Sequence, residues 1–267
     1  MVEAPAFGQA PFDLPSPLLE ARSVSISFGG VLALDEASLV VGPGESVGLV
    51  GPNGAGKTTL FDCISGRRRP DRGTVKFDGH SLDGLPAFRR ARLGMARTFQ
   101  RIEVFPELTV RDHFLVAERA RQGEASLWRD LLNMSSPRAA EVERVDALAA
   151  LVGVTELLDV PVAALGLGTC RLVELGRALA CEPKLLLADE PSSGLDIHET
   201  HALADVLRTI QSERGMAVLL VEHDLQMVAR TVDRVVVLDL GRVIAEGPFD
   251  RVIDDPEVRR AYLGRSA

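Results

Sequence analysis

Nine consecutive residues constrain this chain more than any others: Gly51-Pro52-Asn53-Gly54-Ala55-Gly56-Lys57-Thr58-Thr59. They fit G-x-x-x-x-G-K-[ST], the phosphate-binding P-loop. Ahead of them, Ser46 to Val50 is short and apolar enough for a buried strand. Behind them, Leu60, Phe61 and Ile64 recur at helical spacing until Gly66 stops the run. That strand–loop–helix context is what the motif requires. The glycines let the backbone turn its N–H groups inward without Cβ clashes. Those N–H groups and the positive helix end hold phosphate oxygens. Lys57 is placed to reach the β- and γ-phosphates, and Thr58 to offer its hydroxyl to Mg²⁺. Asn53, Gly54, Ala55, Gly56 and Thr59 complete the candidate cradle.

A length of 267 residues allows one large domain, or one domain with a subdomain. Hydrophobic content of 46% suffices for a sizeable core. The net charge of -8 and pI near 5.2 argue against a broad nucleic-acid surface. Arg67-Arg68-Arg69 follows a helix end and reads as a solvated loop. Cys63, Cys170 and Cys181 form no C-x-x-C pair, which suggests a reducing compartment without a disulfide framework. Cys63 and Cys181 are expected to pack as small apolar groups. The longest apolar runs fall far below the ~20 residues of a membrane span. The N-terminus has no apolar h-region and no basic residue before Arg22, so it does not read as a secretory signal. Pro5, Pro11, Pro15 and Pro17 mark residues 1–18 as a disordered leader.

Along the chain, Val24, Ile26 and Phe28 alternate as a half-buried strand does, and Val31–Leu34 and Ala37–Val41 read as further strands. Thr74 to Phe77 reads as a strand, Pro86 to Leu93 as a helix and Met95 to Phe99 as extended. From residue 109 the character changes. Thr109 with Asp112 is a capping-box pattern, and Pro137 opens a helix that Gly153 ends. The connector Gln122–Ser135 between them holds Trp128, which reads as packing. The region therefore reads as a helical subdomain, inserted at about residues 101–180 into an α/β core. After Leu172, helices alternate with the apolar strands Leu185–Ala188, Met216–Val221 and Val235–Leu240, as in a parallel sheet covered on both faces.

A P-loop needs a second strand ending in carboxylates, opposite the phosphates. Leu185-Leu186-Leu187-Ala188-Asp189-Glu190 supplies one. Asp189 is the candidate Mg²⁺ ligand, through water, and Glu190 the candidate general base. Pro191 forbids the strand from continuing. Gln100 follows Phe99 at another strand end, where an amide can ligate Mg²⁺. His223 follows the strand Met216–Val221, where its imidazole can reach the γ-phosphate and the attacking water. His198 and His201 lie one helical turn apart but lack a third ligand, and read as a solvated face.

The ordered set of P-loop, Gln100, Leu165-Gly166-Leu167-Gly168-Thr169, Asp189-Glu190, Ser193-Gly194-Leu195-Asp196 and His223 resembles the ATP-binding subunits of ABC transporters. Several stretches resemble the importers of branched-chain amino acids within that family. They are Phe77-Asp78-Gly79, Leu93 to Gln100, Phe105 to Val110, Val221 to Asp224, Ile244 to Gly247 and Ala261-Tyr262-Leu263-Gly264. The resemblance implies an α/β P-loop NTPase core with a mixed sheet, an N-terminal antiparallel β-subdomain and an inserted α-helical subdomain, all within residues 19–267. It implies ATP and Mg²⁺ as ligands, Phe28 stacked on adenine, Gln100 as the Q-loop, Ser193–Asp196 as the D-loop and His223 as the switch histidine. It also implies transmembrane permease subunits as partners, and a homodimer or a heterodimer with a sister subunit. A solute-binding protein would be engaged indirectly and nucleic acid not at all. The place of action would be the cytoplasmic face of the cell membrane.

One motif departs. Where the family carries L-S-G-G-Q, only Leu165 and Gly168 match. Gly168 is expected to tolerate no side chain, because the backbone there would approach the partner subunit's γ-phosphate. The rival readings are an ATPase of a lipid or other export system, and a nucleotide-gated interaction protein that hydrolyses little. A soluble family member acting on nucleic acid comes third, disfavoured by the acidity.

Overall fold

The computed structural model describes residues 16–98, 105–122 and 137–263. Residues 1–15 of the expected leader, Phe99, Gln100 and residues 123–135 of the connector, Trp128 among them, lie outside the described residues, while Gln122 ends a helix. At the leader's end Leu18 is buried, and its N–H donates to the Val41 carbonyl at 2.8 Å.

Strands β1 (Leu19–Phe28) and β2 (Val31–Val41) form an antiparallel pair across Gly29-Gly30. The sequence suggested two segments where β2 is one. The reason is Glu36, which adopts φ 53° and donates its N–H to Ser25 Oγ at 3.0 Å, a bulge that interrupts the alternation without ending the strand. Next come β3 (Ser46–Val50), α1 (Lys57–Ser65), β4 (Arg72–Phe77), β5 (His80–Ser81), α2 (Ala87–Arg92) and β6 (Met95–Arg97). Helices α3 (Val110–Gln122), α4 (Ala139–Val152) and α5 (Leu167–Leu179) follow. The chain then alternates through β7 (Leu185–Asp189), α6 (Ile197–Arg214), β8 (Ala217–Val221), α7 (Leu225–Thr231) and β9 (Arg234–Asp239). It closes with β10 (Arg242–Gly247), α8 (Phe249–Val252) and α9 (Pro256–Leu263).

The helix ends follow their local chemistry. At α3, Thr109 Oγ1 accepts the Asp112 N–H at 3.1 Å while Asp112 Oδ2 accepts the Thr109 N–H at 3.1 Å, the reciprocal box expected there. Helix α4 starts at Ala139, beyond Pro137, because Glu141 reaches back to accept the Arg138 N–H at 2.7 Å. Gly153 ends it at φ 76°.

The strands make two sheets. One has four antiparallel strands in the order β2-β1-β4-β5; the other has six, β10-β9-β3-β8-β7-β6. In the second, β9, β3, β8, β7 and β6 run parallel and β10 is antiparallel to β9. Period-two alternation sends the side chains of this sheet into two separate cores. Val47, Leu49, Leu185, Leu187, Leu219, Val221, Val236 and Leu238 pack with α1 and the antiparallel sheet. Leu186, Ala188, Val218, Leu220, Val235 and Val237 pack with the helical layer of Phe114, Val145, Val173, Leu203 and Val228. Helix α1 therefore lies between the two sheets.

Cys63 sits in the first core, where burial pushes its thiol up to about 11. Cys170 is buried too, but Cys181 is exposed, contrary to the apolar packing expected of it. It falls on the turn after α5, where its Sγ lies 3.9 Å from the Arg177 carbonyl oxygen. Among the described residues, no helix is long and apolar enough to cross a membrane.

Helix α1 ends inside the protein, so its last carbonyls need partners there. Arg90 of α2 provides them. Its Nη1 donates to the carbonyls of Cys63 at 2.8 Å and Ile64 at 2.7 Å. Nε and Nη2 donate to the carbonyls of Leu85 and Leu82, each at 2.9 Å. Arg90→Ala is expected to destabilise the protein by about 2–4 kcal/mol in urea unfolding, because it leaves buried acceptors unpaired. Arg90→Lys should recover little of that, since one ammonium cannot span four carbonyls. Wild-type stability for Arg90→Ala would contradict this account.

Candidate functional site

The P-loop leaves the carboxyl end of β3 and opens α1. Its glycines are demanded by what lies behind the loop. Gly51 has φ 146°, and a Cβ there would sit 2.1 Å from the Leu238 carbonyl oxygen. Gly56 has φ 107°, and a Cβ there would sit 2.7 Å from the Ala33 carbonyl oxygen. The loop is tied to both sheets: the Gly241 N–H donates to the Ala55 carbonyl at 2.8 Å, and the Asp35 N–H to the Gly241 carbonyl at 2.9 Å. Asn53, Gly54 and Thr58 are exposed on the open side, and Thr59 is half-buried. Lys57 is buried, and its Nζ donates to the carbonyls of Gly51 at 2.7 Å and Pro52 at 3.1 Å. Burial lowers its pKa, and the Glu190 carboxylate pulls the other way.

Asp189 ends β7 and is 6% exposed. Arg97, at the end of β6, binds it: Nη2 lies 2.8 Å from Asp189 Oδ2. The same guanidinium donates through Nη1 to Asp62 Oδ1 at 3.0 Å and Ser65 Oγ at 2.8 Å, and lies 4.7 Å over the Phe61 ring. Burial raises the Asp189 pKa; the Arg97 charge and hydrogen bond oppose that, and Glu190 and Asp62 add to it. Glu190 adopts φ 45°, and its N–H donates to the Val221 carbonyl at 2.8 Å. That left-handed turn costs a non-glycine residue about 1–2 kcal/mol, and it takes the Glu190 side chain off the strand path. His223 leaves β8 beside it, with its side chain 59% exposed. An exposed hydroxyl at Thr58 and a buried carboxylate at Asp189 are the hard oxygen donors Mg²⁺ prefers. Gln100, the third expected ligand, lies outside the described residues.

Phe28 ends β1 at 39% exposure, and the Arg68 guanidinium lies 4.8 Å from its ring centroid. The divergent loop has its own neighbours. Gly166 is the N-cap of α5, with φ -70° and ψ 164°, and a Cβ there would meet nothing within 4 Å. Leu167 lies against Gly194: a Cβ on Gly194 would come within 2.9 Å of Leu167 Cδ2. A Cβ on Gly168 would lie 2.6 Å from Glu199 Oε1 in the same chain. Glu199 Oε2 accepts the Asp196 N–H at 3.1 Å, so moving Glu199 aside costs that bond. Asp196 in turn caps α6, accepting the N–H groups of His198 and Glu199, each at 2.8 Å. Those amides hold its carboxyl below the usual range. Gly168 is therefore already constrained within its own chain.

Two residues here were not singled out in the sequence. Arg97 joins α1 to β7, and Glu222, 0% exposed, joins the turns after β7 and β8. A charged residue flush against the all-apolar run Ala217–Val221 was the signal for Glu222.

Folds with parallel strands take ligands at the carboxyl ends of those strands, and a glycine loop opening a helix there takes phosphate. Fold and site together define a P-loop nucleotide-binding protein. More narrowly, the chain belongs to the ABC transporter family, whose model matches residues 34–193, and it is an ATP-binding subunit of the kind that hydrolyses ATP to power transport. Residues 242–267 match a second model, "Branched-chain amino acid ATP-binding cassette transporter". The chain is 36% identical over 256 residues to the high-affinity branched-chain amino acid transport ATP-binding protein LivG of Escherichia coli K12, covering 95% of this chain and 100% of that one. It is 35% identical over 253 residues to BraF of Pseudomonas aeruginosa, covering 94% and 99%. Among solved structures, the ADP conformation of MJ1267, an ATP-binding cassette of an ABC transporter, superposes with a TM-score of 0.82 at 29% identity, covering 93% and 99%.

The open space at Gly166 and the closed space at Gly168 give a paired expectation. Gly166→Ser should leave urea stability unchanged or raise it by a few tenths of a kcal/mol, since serine is a good N-cap. Gly168→Ala should show none of the roughly 0.8–1 kcal/mol that alanine gains over glycine inside a helix, because its Cβ displaces Glu199 from its bond to the Asp196 N–H. The reverse order of stabilities would refute the packing described.

Proposed function

We propose that this chain is the ATP-hydrolysing subunit of an importer of branched-chain or other hydrophobic amino acids. The observation that carries the reading is a likeness to LivG and BraF that runs the length of the chain, joined to the C-terminal match at residues 242–267. In this reading Lys57 and the amides of Asn53–Thr59 hold the phosphates, and Phe28 stacks on adenine once Arg68 moves aside. Thr58, Asp189 and Gln100 hold Mg²⁺, which supplies charge neutralisation at the β- and γ-phosphates. Glu190 takes a proton from the attacking water, and His223 hydrogen-bonds the γ-phosphate. Two subunits close head to tail, as a homodimer or with a sister subunit, so that Gly168 and Asp196 of one complete the site of the other. The domain is residues 19–267, and its helical subdomain, about residues 101–180, docks the permease at the cytoplasmic face of the membrane. A solute-binding protein acts on the far side.

The sign of the Lys57 shift sets a pH dependence. A lysine with a lowered pKa loses its charge earlier as pH rises. ATP affinity should therefore start to fall below the ordinary lysine range, and the fall should be absent in Lys57→Arg. Lys57→Ala should weaken ATP binding roughly ten- to hundredfold in a fluorescence titration, the worth of a charge-assisted contact. Glu190→Gln should keep ATP and Mg²⁺ binding, stop hydrolysis and sediment as a dimer with ATP. Normal hydrolysis by Glu190→Gln would remove Glu190 as the base. Transport is tested with the permease and binding protein in proteoliposomes. ATP-dependent leucine uptake supports import, and efflux alone supports the export reading.

A further inference from the structure

Asp189 and Val221 are register partners on the parallel strands β7 and β8, so the chain leaves the sheet twice at the same level. One exit carries Glu190, Pro191 and Ser192; the other carries Glu222, His223 and Asp224. Between these exits lies the Glu222 carboxylate, with no solvent exposure. Its Oε1 accepts the Ser192 N–H at 2.9 Å and the Ser192 hydroxyl at 2.6 Å. Its Oε2 accepts the His223 N–H at 3.0 Å and the Asp224 N–H at 3.3 Å. One oxygen therefore serves the first turn and the other serves the second. Burying a carboxylate is costly unless donors surround it, and here each oxygen has two. A hydrophobic residue would fill this space without tying the turns together.

We propose that Glu222 is a positioning residue that sets Glu190 against His223. Its two oxygens fix the backbone of Ser192 two residues after Glu190 and the backbone amide of His223 itself. The fully buried carboxylate acts through the two turns, and its Oε2 also lies 3.8 Å from His223 Nδ1. Ser192 immediately precedes the segment Ser193–Asp196, so the same clamp holds the entry to that loop. This inference rests on the roles proposed for Glu190 and His223.

The test uses the full-length chain with its transporter partners and compares wild type, Glu190→Gln, Glu222→Gln, Glu222→Asp and Ser192→Ala. ATP affinity, kcat, KM and urea stability are measured for each. In Glu222→Gln the amide nitrogen faces N–H groups that need an acceptor, so one turn is released. A displacement near 1 Å at a reacting group costs up to about a hundredfold. The expected result is a kcat lowered roughly ten- to hundredfold, with KM and ATP affinity within about threefold of wild type. Ser192→Ala removes only the hydroxyl bond, and should lower kcat less than Glu222→Gln does, again without moving KM. Glu222→Asp keeps the charge but shortens the reach, so it should fall between wild type and Glu222→Gln. If stability falls while kcat per folded protein stays at the wild-type value, Glu222 is merely structural and the proposal is overturned. The same holds if kcat and ATP affinity fall in parallel. If Glu222→Gln does not fold, an unchanged kcat in both Glu222→Asp and Ser192→Ala overturns it. Glu190→Gln separates the two levels. If it is inactive while the other variants turn over normally, only the positioning role is lost. If it hydrolyses ATP normally, the reading of the site beneath it fails as well.

Discussion

Strict alternation of side chains along five parallel strands, each buried on both faces, underlies everything else in this protein. Leu185 and Leu187 face α1 and the antiparallel sheet, while Leu186 and Ala188 face the helical layer. A register slip of one residue in β7 would exchange the two sets and turn Asp189 to the opposite face. The hydrophobic pattern thus fixes the height and facing of the carboxylates that follow it. The antiparallel sheet matters for a second reason: it covers α1, and so allows the helix that starts at the P-loop to end inside the protein. That buried end is what makes Arg90 necessary.

The parts of the site that are contiguous in sequence were legible. The P-loop, with its strand before and helix after, and the Asp189-Glu190 pair closing an apolar run are each local patterns with a local cause. The parts built by distant pairing were not. Arg97 and Asp189 are separated by most of the helical layer, and no local signal at Arg97 distinguishes it from a solvated arginine. Glu222 sits in a stretch where the eye goes to His223, and its partner Ser192 belongs to another turn. At Gly168 the sequence pointed to a partner's phosphate, and nothing local pointed to Glu199 as well, which the capping of α6 brings there within the chain. Glu36 shows the same limit on a smaller scale, because a bulge is decided by what the neighbouring strand offers.

The divergent loop is better described by its contacts than by its mismatches. Leu167 packs on Gly194 and Gly168 on Glu199, so the start of α5 leans on the start of α6. The two glycine-containing loops therefore form one packed unit within the chain. Gly166 lies just outside that unit, in open space, so a side chain there would disturb neither helix.

The backing of the P-loop carries a wider consequence. Leu238 presses on Gly51 from the six-stranded sheet, and Ala33 presses on Gly56 from the antiparallel one. The loop is a casting between two moulds, and its shape records how the moulds are spaced. Loosening one sheet against the other, by heat, by denaturant or by a void near Phe61, would change the shape of the casting. Nucleotide affinity in this chain should therefore act as a gauge of the seam between its layers, reporting on residues that never come near a phosphate.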